Sequence, residues 1–582
     1  MDYSHLVTRG NVLVALTIAA TLFGCKENTG TAGSGASGDA ARTQSAALVN
    51  DATGPAAPVP SAKPGGTVTV MYVADFEHLD PAQNYITHQQ LTANLFMRTL
   101  TAYREHGDGT FDLVGDLATN TGTTSDDGLT WTFTLRDGVR FEDGRPITSR
   151  DIAYGVARTF SPDLPNGPHY IQQWLADDPD YNKAYKGPYN GGAPIPPGVE
   201  TPDDKTIVFR FARPRPDMPF AGALPTTTPV PRDKDTRAEY DNRPFASGPY
   251  KIDTYRRGQK LVLVKNEQWD PATDALRHQY PDTIQFDFGA SQIQINERLI
   301  ASQGADATAV TWMLVSAEVL PKVLGDSAVM RRVLRGPTQF TRYLAINTQR
   351  VPDLAVRQAL NYAIDRVNFL KVYAPVGARA GTTILSPTTL GYELYNAYDG
   401  GPNGDTAKAR QLLGGKRVPL VYAYPNSPRQ QKIAAFLQTN FNAAGFDVTI
   451  QPVDFDQIFT TTARKDNPFD LYMQGWGSDW PSGVTIIPPL FDGRTITPAG
   501  NQNNSFLNAS EINAQIDSIS VMADLVEAGR RWAALDKEIM TKHAPIVPLT
   551  YEEAFFLTGD RVGGAFLSGP YGTTALTNLF VK

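Results

Sequence analysis

With 582 residues the chain is longer than one compact core organises, so two to four domains of ordinary size are expected. Hydrophobic residues at 41%, aromatics at 10%, 43 Pro and 49 Gly describe a turn-rich globular protein and exclude a largely disordered one. A formal net charge of -7 without a basic run excludes nucleic acid or an anionic membrane as the main partner of the folded part.

In chain order, Arg9 precedes an apolar run from Asn11 to Phe23, too short for a permanent bilayer span and suited to the core of an export signal. Residues 1–24 therefore read as a signal peptide. Cys25, the single Cys, excludes a disulfide within the chain and a Cys-based metal site. The Leu22-Phe23-Gly24-Cys25 sequence resembles the lipobox of bacterial lipoproteins, which implies that the Cys25 thiol is acylated and becomes the mature N-terminus. The alternative is an ordinary secretory signal with an incidental Cys. Residues 26–65 are Gly, Ser, Ala, Thr and Pro with almost no large apolar side chain, and so are expected to form a flexible tether with a reach of roughly 35 Å. Within it, Gly33-Ser34-Gly35-Ala36-Ser37-Gly38 has dinucleotide-binding spacing, but no strand precedes it and no helix follows, so it is set aside.

Order is expected from Gly66, with Thr67 to Val73 a β-branched strand. Leu79-Asp80-Pro81-Ala82 reads as a turn and Leu91 to Leu100 as a short helix. Thr130 to Leu135 alternates with Trp131, Phe133 and Leu135 on one face, Thr148 to Asp151 starts a helix to about Phe160, and Thr206 to Phe211 is another alternating strand. A Pro/Gly/Tyr-rich loop lies between them, over roughly 161–202. Val356, Ala359, Leu360, Ala363, Val367 and Leu370 fall at helical spacing behind Asp353 as N-cap, and Arg357, Asp365 and Arg366 read as solvated or paired charges. A strand at 418–424, a helix from Pro428 to Ala444 closed by Gly445, and a strand with Phe446, Val448 and Ile450 alternating make a β-α-β unit, hence an α/β lobe. Alternation from Phe469 then runs into a Gly475-Trp476-Gly477 turn followed by Ser478, Asp479 and Trp480.

Enzymatic signals are absent. No Gly-x-Ser-x-Gly or phosphate-binding loop occurs, and the 7 His have no helical pair at i and i+4, so neither a catalytic centre nor a metal or cofactor is expected. Glu552-Glu553 and Asp177-Asp178 read as solvated charge.

Several motifs in preserved order resemble the extracytoplasmic solute-binding proteins of peptide-type ABC importers: Gly65-Gly66-Thr67-Val68, Leu79-Asp80-Pro81-Ala82, Asp127 to Phe133, Leu135 to Gly144, Ser247-Gly248-Pro249-Tyr250, Val356 to Leu360, Ala363 to Arg366 and Gly475 to Asp479. The resemblance implies an α/β, two-lobe periplasmic-binding-protein-like fold with mixed sheets. Lobe I would cover 66–337 plus 546–582, with an extra subdomain over about 101–204, and lobe II 338–545. Two hinge crossovers would let the lobes close around a small ligand.

In the oligopeptide and dipeptide binders the acid of the Gly-Trp-x-x-Asp motif receives the peptide's α-amino group, and Asp479 holds that position here. The chemistry is apt, because an ammonium that loses its water on lobe closure needs a fixed carboxylate. Gly475, Trp476, Gly477 and Trp480 beside it become candidate contacts, with the two indoles serving either a side-chain pocket or the core. Arg464, fifteen residues before Asp479, matches a basic residue of oligopeptide binders and is the candidate for the ligand carboxylate or for a solvated loop charge. The expected partners are a small peptide, an ABC permease and a membrane lipid anchor on the extracytoplasmic face, with the protein a monomer. Tyr343, Asn347, Trp312 and Asn501 to Asn504 keep an oligosaccharide ligand open as the alternative. A surface hydrolase or sensor on the same scaffold is a second.

Overall fold

The computed structural model describes residues 47–582, apart from Asp51, Asn190, Gly191, Phe455 and Asp456. The export signal, Cys25 and the first part of the expected tether lie outside the described residues. The second part does not behave as a tether. Ala47–Val49 forms a strand parallel to Phe111–Gly115, Ala52 is buried, and Gly65 donates to the Tyr280 carbonyl at 2.8 Å. Small residues here lie flat on a surface instead of swinging free, because their main-chain groups find partners on the body.

Two large sheets organise the rest. The first, that of lobe I, has the order Ala309–Thr311, Thr67–Tyr72, Thr283–Phe288, Lys260–Lys265, Tyr250–Arg256, parallel in its first three strands and antiparallel after. The second, that of lobe II, has the order Ala378–Ala380, Ile546–Leu557, Val333–Ile346, Leu471–Gly477, Val418–Pro425, Phe446–Val453. Its last three strands are parallel, and Pro428–Ala443 is the helical crossover, capped by the Ser427 side chain. Successive residues of Val333–Ile346 serve opposite faces: Tyr343 and Ala345 enter one core, Leu344 and Ile346 the other, as expected of a strand covered on both sides.

Val333–Ile346 and Ile546–Leu557 are antiparallel partners, and both run from one lobe into the other. Leu557 packs with Met71 and Ile295 beside the first sheet, whereas Val547 and Leu549 pack in lobe II. The pair slips register between Pro337 and Thr341 and again between Arg342 and Tyr343.

The structure departs from three of the expectations. The helix placed at 91–100 spans Thr87–Phe96, because the N–H groups of Ser247 and Gly248 both bond the Phe96 carbonyl and stop it there. A Cβ at Gly248 would lie 2.9 Å from the Phe96 carbonyl carbon, which explains the glycine in that motif. The single helix over 353–370 is two, Leu354–Ala363 and Arg366–Tyr373, since the Asp365 side chain caps the second at the Asn368 N–H. Arg357 and Arg366 are buried and donate to main-chain carbonyls, Arg357 to Val351, Pro352 and His543 and Arg366 to Gly381 and Pro548.

Beside the first sheet, a four-stranded antiparallel sheet (Thr123–Thr124, Thr130–Thr134, Thr206–Arg210, Val199–Glu200) and the helix Ser149–Arg158 enclose their own apolar cluster around Phe133, Phe141, Phe160 and Phe209. Thr148 and Asp151 form a capping box that starts this helix, and Arg158 ends it. Fully buried, Arg158 clamps both Asp80 oxygens at 2.7 Å and reaches Asp235 at 3.1 Å, tying the cluster to the turn at Asp80. Arg158→Ala strands two buried carboxylates without their cation, so denaturant unfolding is expected to show a loss of about 3–5 kcal/mol. A loss below about 1 kcal/mol would contradict that role.

Candidate functional site

Asp479 lies just beyond the strand Leu471–Gly477, where lobe II faces lobe I. Its Oδ2 accepts hydrogen bonds from the Tyr85 hydroxyl at 2.9 Å and the Tyr170 hydroxyl at 2.5 Å, both from the opposite lobe. Burial pushes the carboxyl up to about 6, and the two phenol donors hold it below what burial alone would give. Among the described residues it has no ion-pair partner.

The tyrosines are fixed from behind. Asp80, held by Arg158, accepts the Ala82 N–H on its side chain, and its carbonyl accepts the N–H groups of Gln83 and Asn84. This turn presents Tyr85, whose own carbonyl is bonded by Gln90 Nε2 at 2.6 Å. Tyr170 opens the short helix Tyr170–Ala176, within a stretch read from sequence as loop, and its ring centroid is 4.6 Å from that of Trp480.

Trp480 is 1% exposed and reaches across the lobes. Its Nε1 donates to Asp217 at 2.7 Å, and its indole packs on Leu113, Phe220, Ala223 and Leu224. Asp217 is itself pushed up to about 6 by burial, opposed by the Trp480 and Ser482 donors. Trp476 is half-buried and donates to the Thr485 carbonyl at 2.7 Å while packing on a lobe II core.

Gly475 and Gly477 lie inside the strand and form no turn. They pair with Arg342 and Phe340, whose side chains fill the space above them: a Cβ at Gly475 would lie 2.4 Å from Arg342 Nη1, and one at Gly477 2.6 Å from Phe340 Cε1. Arg342 in turn pairs with Glu552 at 2.6 Å, and Tyr373 donates to the same carboxylate, so Glu552 is engaged rather than freely solvated. Arg464 sits on an exposed loop paired with Asp466 at 2.9 Å.

The structure thus brings Asp479 and Trp480 together with Tyr85, Tyr170 and Asp217, three residues that sequence reasoning did not single out. A tyrosine-rich loop was visible over 161–202, but nothing local showed which phenol turns toward an acid 309 residues away.

Two α/β lobes joined by two strands that pass between them give the architecture of a hinged solute-binding protein. The chain belongs to the bacterial extracellular solute-binding proteins, family 5, whose middle region matches residues 112–497. It is 25% identical to a probable di/tripeptide-binding protein 5 of Pseudomonas aeruginosa, across 90% of this chain and 98% of that one. It is 24% identical to the heme-binding protein A of Haemophilus influenzae, across 78% and 82%. Among solved structures it is similar to clavulanic acid biosynthesis oligopeptide binding protein 2, with a TM-score of 0.83, 29% identity, and coverage of 92% and 99%.

If Trp480 latches the lobes, Trp480→Ala removes a contact of about 3–5 kcal/mol, judged from Trp truncations in cores. The expected result is a larger radius of gyration by small-angle scattering with native far-UV dichroism retained. An unchanged radius would show that the indole holds nothing closed.

Proposed function

We propose that this protein is the substrate-binding component of an ABC importer, capturing a small peptide between its lobes and delivering it to a membrane permease. The observation that carries the reading is Asp479: a carboxylate held by two hydroxyls and, among the described residues, no cation, at the meeting of the lobes. Neutral donors relieve part of its desolvation but leave its charge, and a peptide's α-ammonium supplies what is missing. The peptide ligands named for two of the three relatives above, the di/tripeptide-binding and the oligopeptide-binding protein, support the same reading. In this reading the lobes divide near residues 337 and 546, hinge closure is the whole mechanism, and no reaction or cofactor is involved.

Most of the side chains that suggested a sugar ligand are engaged elsewhere. Tyr343 and Asn347 are buried, Trp312 donates to the Thr574 carbonyl, and Asn501 and Asn503 bond main-chain carbonyls around their own loop. That favours peptide over oligosaccharide. Trp476 and Trp480 belong to the surround of the site rather than to its first contacts, and Arg464, on its exposed loop, stays a candidate for the ligand carboxylate. Acylation of Cys25, removal of residues 1–24 and a monomer on the extracytoplasmic membrane face complete the proposal.

Calorimetry with trialanine tests it. Asp479→Ala is expected to weaken binding by about 2–5 kcal/mol, the usual cost of truncating one partner of a buried charge pair. N-acetylation of the peptide should do the same to the wild type, and unchanged affinity in both would sink the assignment.

The pH dependence follows from the raised carboxyl. Above about pH 6 the free site is ionised and affinity is flat; below it, protonation competes with the ammonium and affinity falls by about tenfold per pH unit. Asp479→Asn should remove that slope. A wild-type affinity independent of pH between 4.5 and 7 would contradict the role of this carboxylate.

A further inference from the structure

One half-buried acid stands apart from this site. Glu105 ends the strand Thr101–Glu105 and lines a cavity of about 30 Å³ together with Asn94, Tyr103, Arg277, Tyr571 and Asn578. A water occupies roughly 10–15 Å³ on this measure, so there is space for two waters or for one compact ammonium group, and little for a guanidinium. The carboxylate accepts the Gly569 N–H at 3.0 Å and a hydrogen bond from the Ser568 side chain. Among the described residues it has no ion-pair partner.

The cation on the cavity wall is already engaged. Arg277 bonds Asp116 at 2.8 Å, Asp274 at 3.1 Å and the Asn94 carbonyl at 2.7 Å, and Arg98 bonds Asp116 at 2.7 Å. Two arginines and two aspartates cancel, which leaves the charge of Glu105 uncompensated. Burial accordingly pushes its carboxyl up to about 7.

The cavity also adjoins the site. Tyr103, one of its walls, packs against the cluster around Trp480 and meets Tyr571 edge-on at 6.0 Å. Burial raises its hydroxyl, and Tyr571, Asp479 and Asp217 raise it further. One tyrosine therefore separates the carboxylate proposed for the peptide amine from a second carboxylate without a cation.

We propose that the cavity bounded by Glu105, Tyr103 and Tyr571 is a subsite for a lysine-type ammonium side chain of the bound peptide, with Glu105 as its counter-charge. The inference rests on the reading of the Asp479 cleft as a peptide site and narrows its ligands to small basic peptides. A glutamine would accept the Gly569 N–H equally well without the cost of an uncompensated charge, so the acid gains its purpose from a cation that arrives with the ligand.

The test is calorimetry of wild type and Glu105→Gln with Lys-Ala-Ala, Ala-Lys-Ala and Ala-Ala-Lys, each against its norleucine counterpart. The wild type is expected to bind at least one lysyl peptide about tenfold or more tighter than the norleucine form, as desolvated charge pairs do. E105Q should bind the two forms alike. A lysyl preference that survives in E105Q, or none in the wild type, overturns the proposal. Loss of every peptide by E105Q assigns Glu105 to the fold and overturns it as well. If the wild type binds no peptide of either kind, the reading of the cleft falls, and this subsite with it.

Discussion

A carboxylate partly withdrawn from water must be met by donors, and at Asp479 the donors come from the other half of the molecule. Lobe II supplies the acid, and lobe I supplies Tyr85 from a turn and Tyr170 from a short helix. Much of the surrounding architecture exists to hold those two hydroxyls in place. The buried Arg158 clamp fixes the turn that carries Tyr85, while the Trp480 ring backs Tyr170 and spends its own N–H on Asp217. Both lobes therefore contribute to one small polar patch, and the patch stays short of one positive charge.

The buried and half-buried acids of this protein fall into two kinds, and the difference separates scaffold from site. Asp80, Asp116 and Asp274 each face an arginine at hydrogen-bond distance, so their charge is answered within the fold. Among the described residues Asp479, Asp217, Asp536 and Glu105 have only neutral donors, and burial raises all four. Asp536 is the structural member of that second group, its oxygens taken by the Ile384 and Leu385 N–H groups and the Tyr395 hydroxyl. Asp217 is closed off by the Trp480 indole. Asp479 and Glu105 remain with charge to offer, one where the lobes meet and one in a cavity.

Much of the fold was legible because period and capping are local properties. The strands at 67–72, 130–134 and 206–210, the β-α-β unit around Pro428–Ala443 and the helix started by Thr148 all follow from alternation, helical spacing or a cap that acts within a few residues. The misreadings have tertiary causes. Gly-Trp-Gly looked like a turn, but its glycines answer the side chains of Arg342 and Phe340 on a strand more than a hundred residues earlier. The helix near Phe96 ends where Ser247 and Gly248 cap it, and Arg357 and Arg366, charged on paper, serve main-chain carbonyls in the core. Asp479 was reachable through a motif. Its partners were not, since a tyrosine's hydroxyl carries no sequence mark of where it points.

The two strands that pass between the lobes are hydrogen-bonded to each other along most of their length. Neither can bend alone without breaking its ladder to the other, so the passage behaves as a ribbon and not as two independent cords. A ribbon with register slips in its middle yields to bending at those slips and resists sliding and rotation elsewhere. A ribbon of that kind favours something like the swing of a door leaf over free rotation of one lobe against the other.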